Sequence, residues 1–347
     1  MSHTAPGRGR RRSGRAALTA ALLVFPLLAA CGGGSEEPEA SGGGGGGGDE
    51  PLSITVVNGI TSFEFMAADM AEKIGVWEDL NLDVEYIRGS GGGGQVTTTM
   101  TAGQADLGLH GGGAAAISMA EGMPAKIVAV TAPSFSGMVC VVHEESDIQS
   151  FADLEGKTMG ISSAGSLTDL VSRMIAKNNG WELGTDFHQA TIGDLSQLTA
   201  ALQERVVDII CWSAEPALTL VERGQGRILG DAGEIVGPNI FEAIEATDEA
   251  IESKPEAIER YLQGYFTAVQ YMKDNPDESI EFLAEYASVS EDVARQVYEM
   301  EMDNQSLDGT ATDEMLEGLV ATASDLSGKS LEVEQVWDDQ FVPVELP

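Results

Sequence analysis

Few side chains in this sequence have the types and spacing needed to make or break bonds. Gly89-Ser90-Gly91-Gly92-Gly93-Gly94 follows a strand-like run and formally matches GxGxxG, the loop that lets a backbone approach a dinucleotide pyrophosphate. Five glycines in six residues match that pattern easily. No acidic residue ends a second strand about 20 positions on, where a ribose would need it. Ser163 lies in Ile161-Ser162-Ser163-Ala164-Gly165, but a nucleophile elbow needs glycine where Ile161 stands. His143-Glu144 lacks the second histidine four residues on that a zinc-protease helix uses. The remaining histidines and cysteines are scattered. The residues therefore point to binding rather than catalysis, with no cofactor and no metal.

The segments that must position any site begin after an unusual leader. Arg8, Arg10, Arg11, Arg12 and Arg15 precede an apolar run from Ala16 to Ala30, and Leu28-Ala29-Ala30-Cys31 resembles a lipobox. The run spans roughly 22 Å as a helix, short of the about 30 Å of a bilayer core. It fits the apolar part of a signal peptide with a small-residue cleavage site. Residues 1–30 are thus expected to be a lipoprotein signal peptide, with Cys31 lipidated. Arg11-Arg12 lacks the apolar residues that twin-arginine export would place just after it. Residues 31–51, with Glu36, Glu37, Glu39 and the glycines 42 to 48, read as a flexible leash.

The chain carries formal charge −37; residues 1–30 hold five arginines and no acid, so the remainder stands at −42. Such a charge opposes nucleic acid and anionic lipid surfaces as partners. Beyond Cys31 only Cys140 and Cys211 remain. Both sit in strand-like apolar runs and read as buried free thiols, a disulfide being the alternative outside the cytoplasm.

Strand and helix signals alternate from Leu52 to Val142 and restart near Lys157, which implies parallel sheets covered by helices. After about residue 240 the chain reads as acidic and helical, with Pro255 and Pro276 in first helical turns. An internal echo supports two lobes. Gln95-Val-Thr-Thr-Thr-Met100 leads to Ala105-Asp106-Leu107, and Gln197-Leu-Thr-Ala-Ala-Leu202 leads to Val207-Asp208-Ile209 at the same spacing.

Several motifs then occur in a characteristic order: Lys73-Ile74-Gly75-Val76-Trp77 with Leu82-Asp83-Val84, Thr101 through Gly108, Phe151 through Gly160, and Val207-Asp208 followed by Glu215-Pro216. With the acidic helices from Lys254 to Asp277, the region from about 52 to 325 resembles the solute-binding components of ABC importers for nitrate, taurine, aliphatic sulfonates and thiamine-pyrimidine precursors. One departure stands out: the residue before the acidic-Pro pair, often Trp in the family, is Ala214, with Trp212 two positions earlier. The resemblance implies an α/β, type II periplasmic-binding-protein fold, with two α/β lobes, a hinge and a central cleft. Lobe I would be residues 52–139 plus 233–347, and lobe II residues 140–232.

In such a fold the loops at strand C-termini lead into helices and face the cleft, where helix N-termini offer unpaired N–H groups. The ligand-binding residues expected on that basis are Thr61, Ser62, Phe63, Ser90, Gly91, His110, Gly111, Ser134, Phe135, Ser162, Ser163, Gly165, Ser166, Trp212 and Glu215. Phe63, Phe135 and Trp212 would supply apolar walls. Arg88 ends a strand. An acidic cleft side chain, Glu64 or Glu215, would favour an amine, amidine or protonated heterocycle. The implied protein is a monomeric extracytoplasmic lipoprotein, tethered to the cell membrane through Cys31. It would deliver a small organic molecule to an ABC permease with its ATPase. A ligand-sensing lipoprotein feeding a membrane receptor and an exported thiamine-pyrimidine-synthase-like enzyme are the alternatives.

Overall fold

A computed structural model of the chain describes residues 50–89 and 91–346. The signal peptide, Cys31, nearly all of the leash and Ser90 lie outside the described residues. Among the described residues no helix is long and apolar enough to cross a membrane.

Ten strands form two five-stranded sheets among the described residues. The first contains β1 (Leu52–Asn58), β2 (Leu82–Arg88), β3 (Leu107–Gly111), β4 (Ala125–Ala132) and β10 (Glu242–Thr247), in the order β2-β1-β3-β10-β4. The second contains β5 (Met138–His143), β6 (Thr158–Ile161), β7 (His188–Thr191), β8 (Ile209–Ser213) and β9 (Gly226–Asp231), in the order β7-β6-β8-β5-β9. Helices cover both, as in the periplasmic-binding-protein fold.

The sheets are mixed, which corrects the expectation of parallel ones. β1 runs parallel to β2 and β3, and β6 runs parallel to β7 and β8. β10 is antiparallel to β3 and β4, and β5 is antiparallel to β8 and β9. The reason lies in the path of the chain. It crosses between sheets twice, from β4 to β5 and from β9 to β10, and each crossing inserts one reversed strand into the sheet it enters.

The sequence echo has a structural basis. The Asp106 carboxylate accepts from the Thr55 N–H at 2.8 Å, while the Asp106 N–H donates to the Thr55 carbonyl at 2.8 Å. Asp208 makes the same two bonds, each 2.8 Å, with Thr158. Each aspartate thus ties the entry of one strand, β3 or β8, to its parallel neighbour, β1 or β6. Gln95 and Gln197 also match, each accepting a backbone N–H just before its own helix, from Gly91 and Asp194 at 3.0 Å.

Strand β10 was hidden in the sequence. Glu242-Ala-Ile-Glu-Ala-Thr247 has helix-favouring composition, yet it lies between β3 and β4 with both glutamates buried. Tertiary context overrides propensity here. Cys140 and Cys211 are also corrected. They face each other in the β5–β8 register and form a disulfide, because the antiparallel insertion of β5 sets their Cα atoms 4.0 Å apart.

The core beside the first sheet rests on the helix Pro255–Asp274, which buries Tyr261, Tyr265 and Phe266. Trp77 stacks on Tyr261 with ring centres 5.2 Å apart. Gly264 makes that stacking possible, since a Cβ there would lie 2.1 Å from the Trp77 ring.

Candidate functional site

The cleft follows from strand polarity. β3 runs directly into the helix Gly112–Glu121, and β8 runs directly into the helix Ala214–Glu222. The helices Gly92–Thr101 and Leu167–Asn179 also begin at the cleft, and their first residues line it. Gly59, Leu109, His110 and Glu242 contribute from the first sheet and its loops; Ser162, Thr168, Trp212 and Ser213 contribute from the second. They enclose a cavity of about 70 Å³, partly open to solvent. That is well below the about 300–1,000 Å³ of typical small-molecule sites, so the walls stand close together.

The expected residues divide among several places. His110, Gly111, Ser162, Ser166 and Trp212 line the cavity. Ser163 and Gly165 line an outer groove that His110 and Ser166 share with it. Ser166 caps its helix, its hydroxyl accepting from the Asp169 N–H at 3.3 Å. Thr61 is exposed, whereas Ser62 is fully buried with an unpartnered hydroxyl. Phe63 packs edge-on against Tyr298, and Phe135 packs on Phe241 in the core of the second sheet. Gly91 caps a helix, and Ser134 exchanges hydrogen bonds of 3.1 and 2.8 Å with the Asn304 amide at the β4–β5 crossing. Ser90 lies outside the described residues.

Sequence reasoning missed several cavity residues, chiefly Glu242, Phe65, Phe241, Leu167 and Met138. Glu242 could have been found only by recognising β10. Two acidic residues in an otherwise apolar run, Ile240-Phe241-Glu242-Ala243-Ile244-Glu245, were the available signal.

Contacts cross the cleft. The Glu215 carboxylate, at the start of the helix after β8, accepts the Phe63 N–H at 2.5 Å. Leu167 rests against Gly111, where a Cβ would lie 2.6 Å from the leucine Cγ. Leu170 meets Gly113 in the same way.

The electrostatics are dominated by buried acids. Glu64, Glu215, Glu242 and Glu301 are each no more than 3% exposed. None of them takes part in an ion pair among the described residues. Burial pushes the Glu64 carboxyl well above the usual range, and the charges of Glu215, Glu301 and Glu242 add to that. Burial alone raises Glu242 strongly. Burial also raises Glu215, against the opposing effect of its backbone hydrogen bonds. Glu301 is pushed up to about 8 by burial and then by Glu215, with the Asn304 amide offsetting part of the shift. A fifth buried glutamate, Glu245, bonds the His110 Nδ1 at 3.0 Å and leaves the His110 Nε2 unpartnered. Among the described residues no three His, Cys, Asp or Glu side chains converge to hold a metal ion.

Comparison with known proteins agrees with this architecture. The pattern of the family described as NMT1/THI5 like matches residues 62–279. A protein of Brucella abortus (strain 2308), named only as a binding protein, is 28% identical over 222 residues, covering 63% of this chain and 67% of its own length. A solved structure from Bordetella bronchiseptica RB50 superposes with TM-score 0.71 at 17% identity, covering 84% of this chain and 96% of the other. The periplasmic aliphatic sulphonate-binding protein SsuA of Escherichia coli superposes with TM-score 0.67 at 18% identity, covering 84% and 93%.

Proposed function

The chain belongs to the NMT1/THI5-like family, and on that premise we propose that it is the extracytoplasmic solute-binding lipoprotein of an ABC importer. One observation carries the reading: the cavity walls come from both sheets, so a small molecule held there touches both and favours their approach. The first sheet with its helices forms one moving lobe, within residues 52–139 and 233–347, and the second sheet forms the other, residues 140–232 together with Met138 and Val139 at the start of β5. The two chain crossings, 133–137 and 232–241, serve as the hinge. Lipid on Cys31 and the glycine leash keep the closing cleft near a permease and its ATPase. The chain binds and does not catalyse.

His110, Gly111, Ser162, Ser166 and Trp212 contact the solute directly. Ser163 and Gly165 guide its entry. Glu215 acts across the cleft through the Phe63 backbone. The sulphonate of the E. coli relative does not transfer readily to this cleft. Among the described residues the cavity lining contains no lysine or arginine and includes the buried Glu242.

Small-angle scattering tests the mechanism. A solute that stabilises the protein in a thermal-shift screen should also reduce its radius of gyration, and stabilisation without compaction would rule out hinge closure.

A further inference from the structure

The four acids in and around the cleft pose a physical problem. Burying a carboxylate without a partner is costly, and a buried charge ordinarily finds a counter-charge or loses its ionisation. Glu242 faces the cavity, is 2% exposed, and has one carboxylate oxygen with no partner. Arg173 lines the outer groove and is committed to Asp169 at 2.9 Å. Among the described residues the cavity lining includes no lysine or arginine.

A second orphan lies at the other end. His110 lines the cavity, is 2% exposed, and has an unpartnered Nε2. With Nδ1 bonded to Glu245, Nε2 is the ring nitrogen left to bond a solute. In the β3–β10 register His110 lies opposite Ala243, and Glu242 lies opposite Gly111. Successive side chains of a strand point to opposite faces. His110 and Glu242 therefore enter the cavity from opposite faces of the sheet, across the end of β3. Phe65, Leu109, Trp212 and Phe241 give the same cavity an apolar lining. The scattered placement of the carboxylates excludes a tight metal site among the described residues.

Resting on the solute-capture reading above, we propose that the captured solute is a small elongated organic cation. Its charged nitrogen pairs with Glu242, its body lies against the apolar lining, and a polar N–H or O–H group at its far end hydrogen-bonds the His110 Nε2. The Trp212 ring and the carboxylate together suit an ammonium or amidinium on an apolar frame.

Tyramine has this plan, with an ammonium at one end and a phenol at the other. Tyrosol and 4-hydroxyphenylacetate keep the phenol and replace the ammonium with a neutral or an anionic group. We expect tyramine, benzamidine or putrescine to raise the melting temperature of the full chain while tyrosol and 4-hydroxyphenylacetate leave it unchanged. Glu242→Gln should weaken the effective cation by about tenfold or more, and Glu242→Asp should retain part of the binding. Circular dichroism of both variants checks that the fold is intact. Stabilisation by tyrosol or 4-hydroxyphenylacetate without any by the cations overturns the cation and leaves solute capture standing. Silence from all three cations overturns the proposal. Silence from every compound, with no compaction in scattering, counts against solute capture as well.

Discussion

The Glu215 carboxylate accepts the Phe63 backbone N–H at 2.5 Å, joining the helix after β8 to the loop after β1. The bond has two opposing energetic effects. It satisfies a buried donor, and it places a buried charge near Glu64 and Glu301. Glu215→Gln keeps an acceptor oxygen and removes the charge, so it should equal or exceed the native chain in stability at pH 8. Glu215→Ala orphans the Phe63 N–H and should lose about 1–3 kcal/mol. Urea unfolding of the three proteins checks this order, and an Ala variant as stable as the Gln variant would contradict it.

Glu301 makes stability depend on pH. The folded chain holds its proton up to about 8, whereas an unfolded carboxyl releases it near 4.5. Between those values the unfolded chain binds fewer protons, so stability declines as pH rises through the window and levels off above about 8. Glu301→Gln removes this group's contribution. The variant should match the native chain near pH 4.5 and exceed it by about 1–3 kcal/mol at pH 8.5. Melting temperatures across that range decide the matter; parallel curves for the two proteins would rule the effect out.

Gly111 tests whether the cleft walls move. A Cβ there would meet three carbons of Leu167 between 2.6 and 2.9 Å. If the sheets hinge, Gly111→Val props the cleft open, enlarging the radius of gyration with little loss of stability. If they are fixed, the same change overpacks a rigid contact and costs about 1–3 kcal/mol with no change in size. Scattering and unfolding measured on one sample separate these outcomes.

The Cys140–Cys211 disulfide closes a loop of sequence separation 71 within the second sheet. Replacing both cysteines with alanine should cost about 2–5 kcal/mol. Reductant should reproduce most of that loss in the native chain and none in the double variant. Unfolding with and without reductant provides the measurement.

Much of the fold was legible in the sequence because its local signals agree with the final structure. The strand Thr158–Ile161 and the helix Leu195–Gln203 fall where alternation and helical period place them. The echo at Asp106 and Asp208 was legible because both perform the same backbone tie. What escaped depends on the partner strand. Nothing local in Glu242–Thr247 reveals that two strands will flank it, and nothing near Cys140 reveals that β8 will run against it. The site divides along the same line. His110, Ser162 and Trp212 lie at ordinary strand ends, but Glu242 enters on a strand that returns from the other sheet.

The matching ties of Asp106 to Thr55 and Asp208 to Thr158 make the two sheets copies of one plan, and the cleft the seam between the copies. A seam between like halves has no intrinsic direction. Glu64, Glu242 and Glu301 all come from outside the second sheet and its connections, and only Glu215 answers from within. That one-sided charge gives the seam a head and a tail, so a guest with one charged end would have a single way to lie.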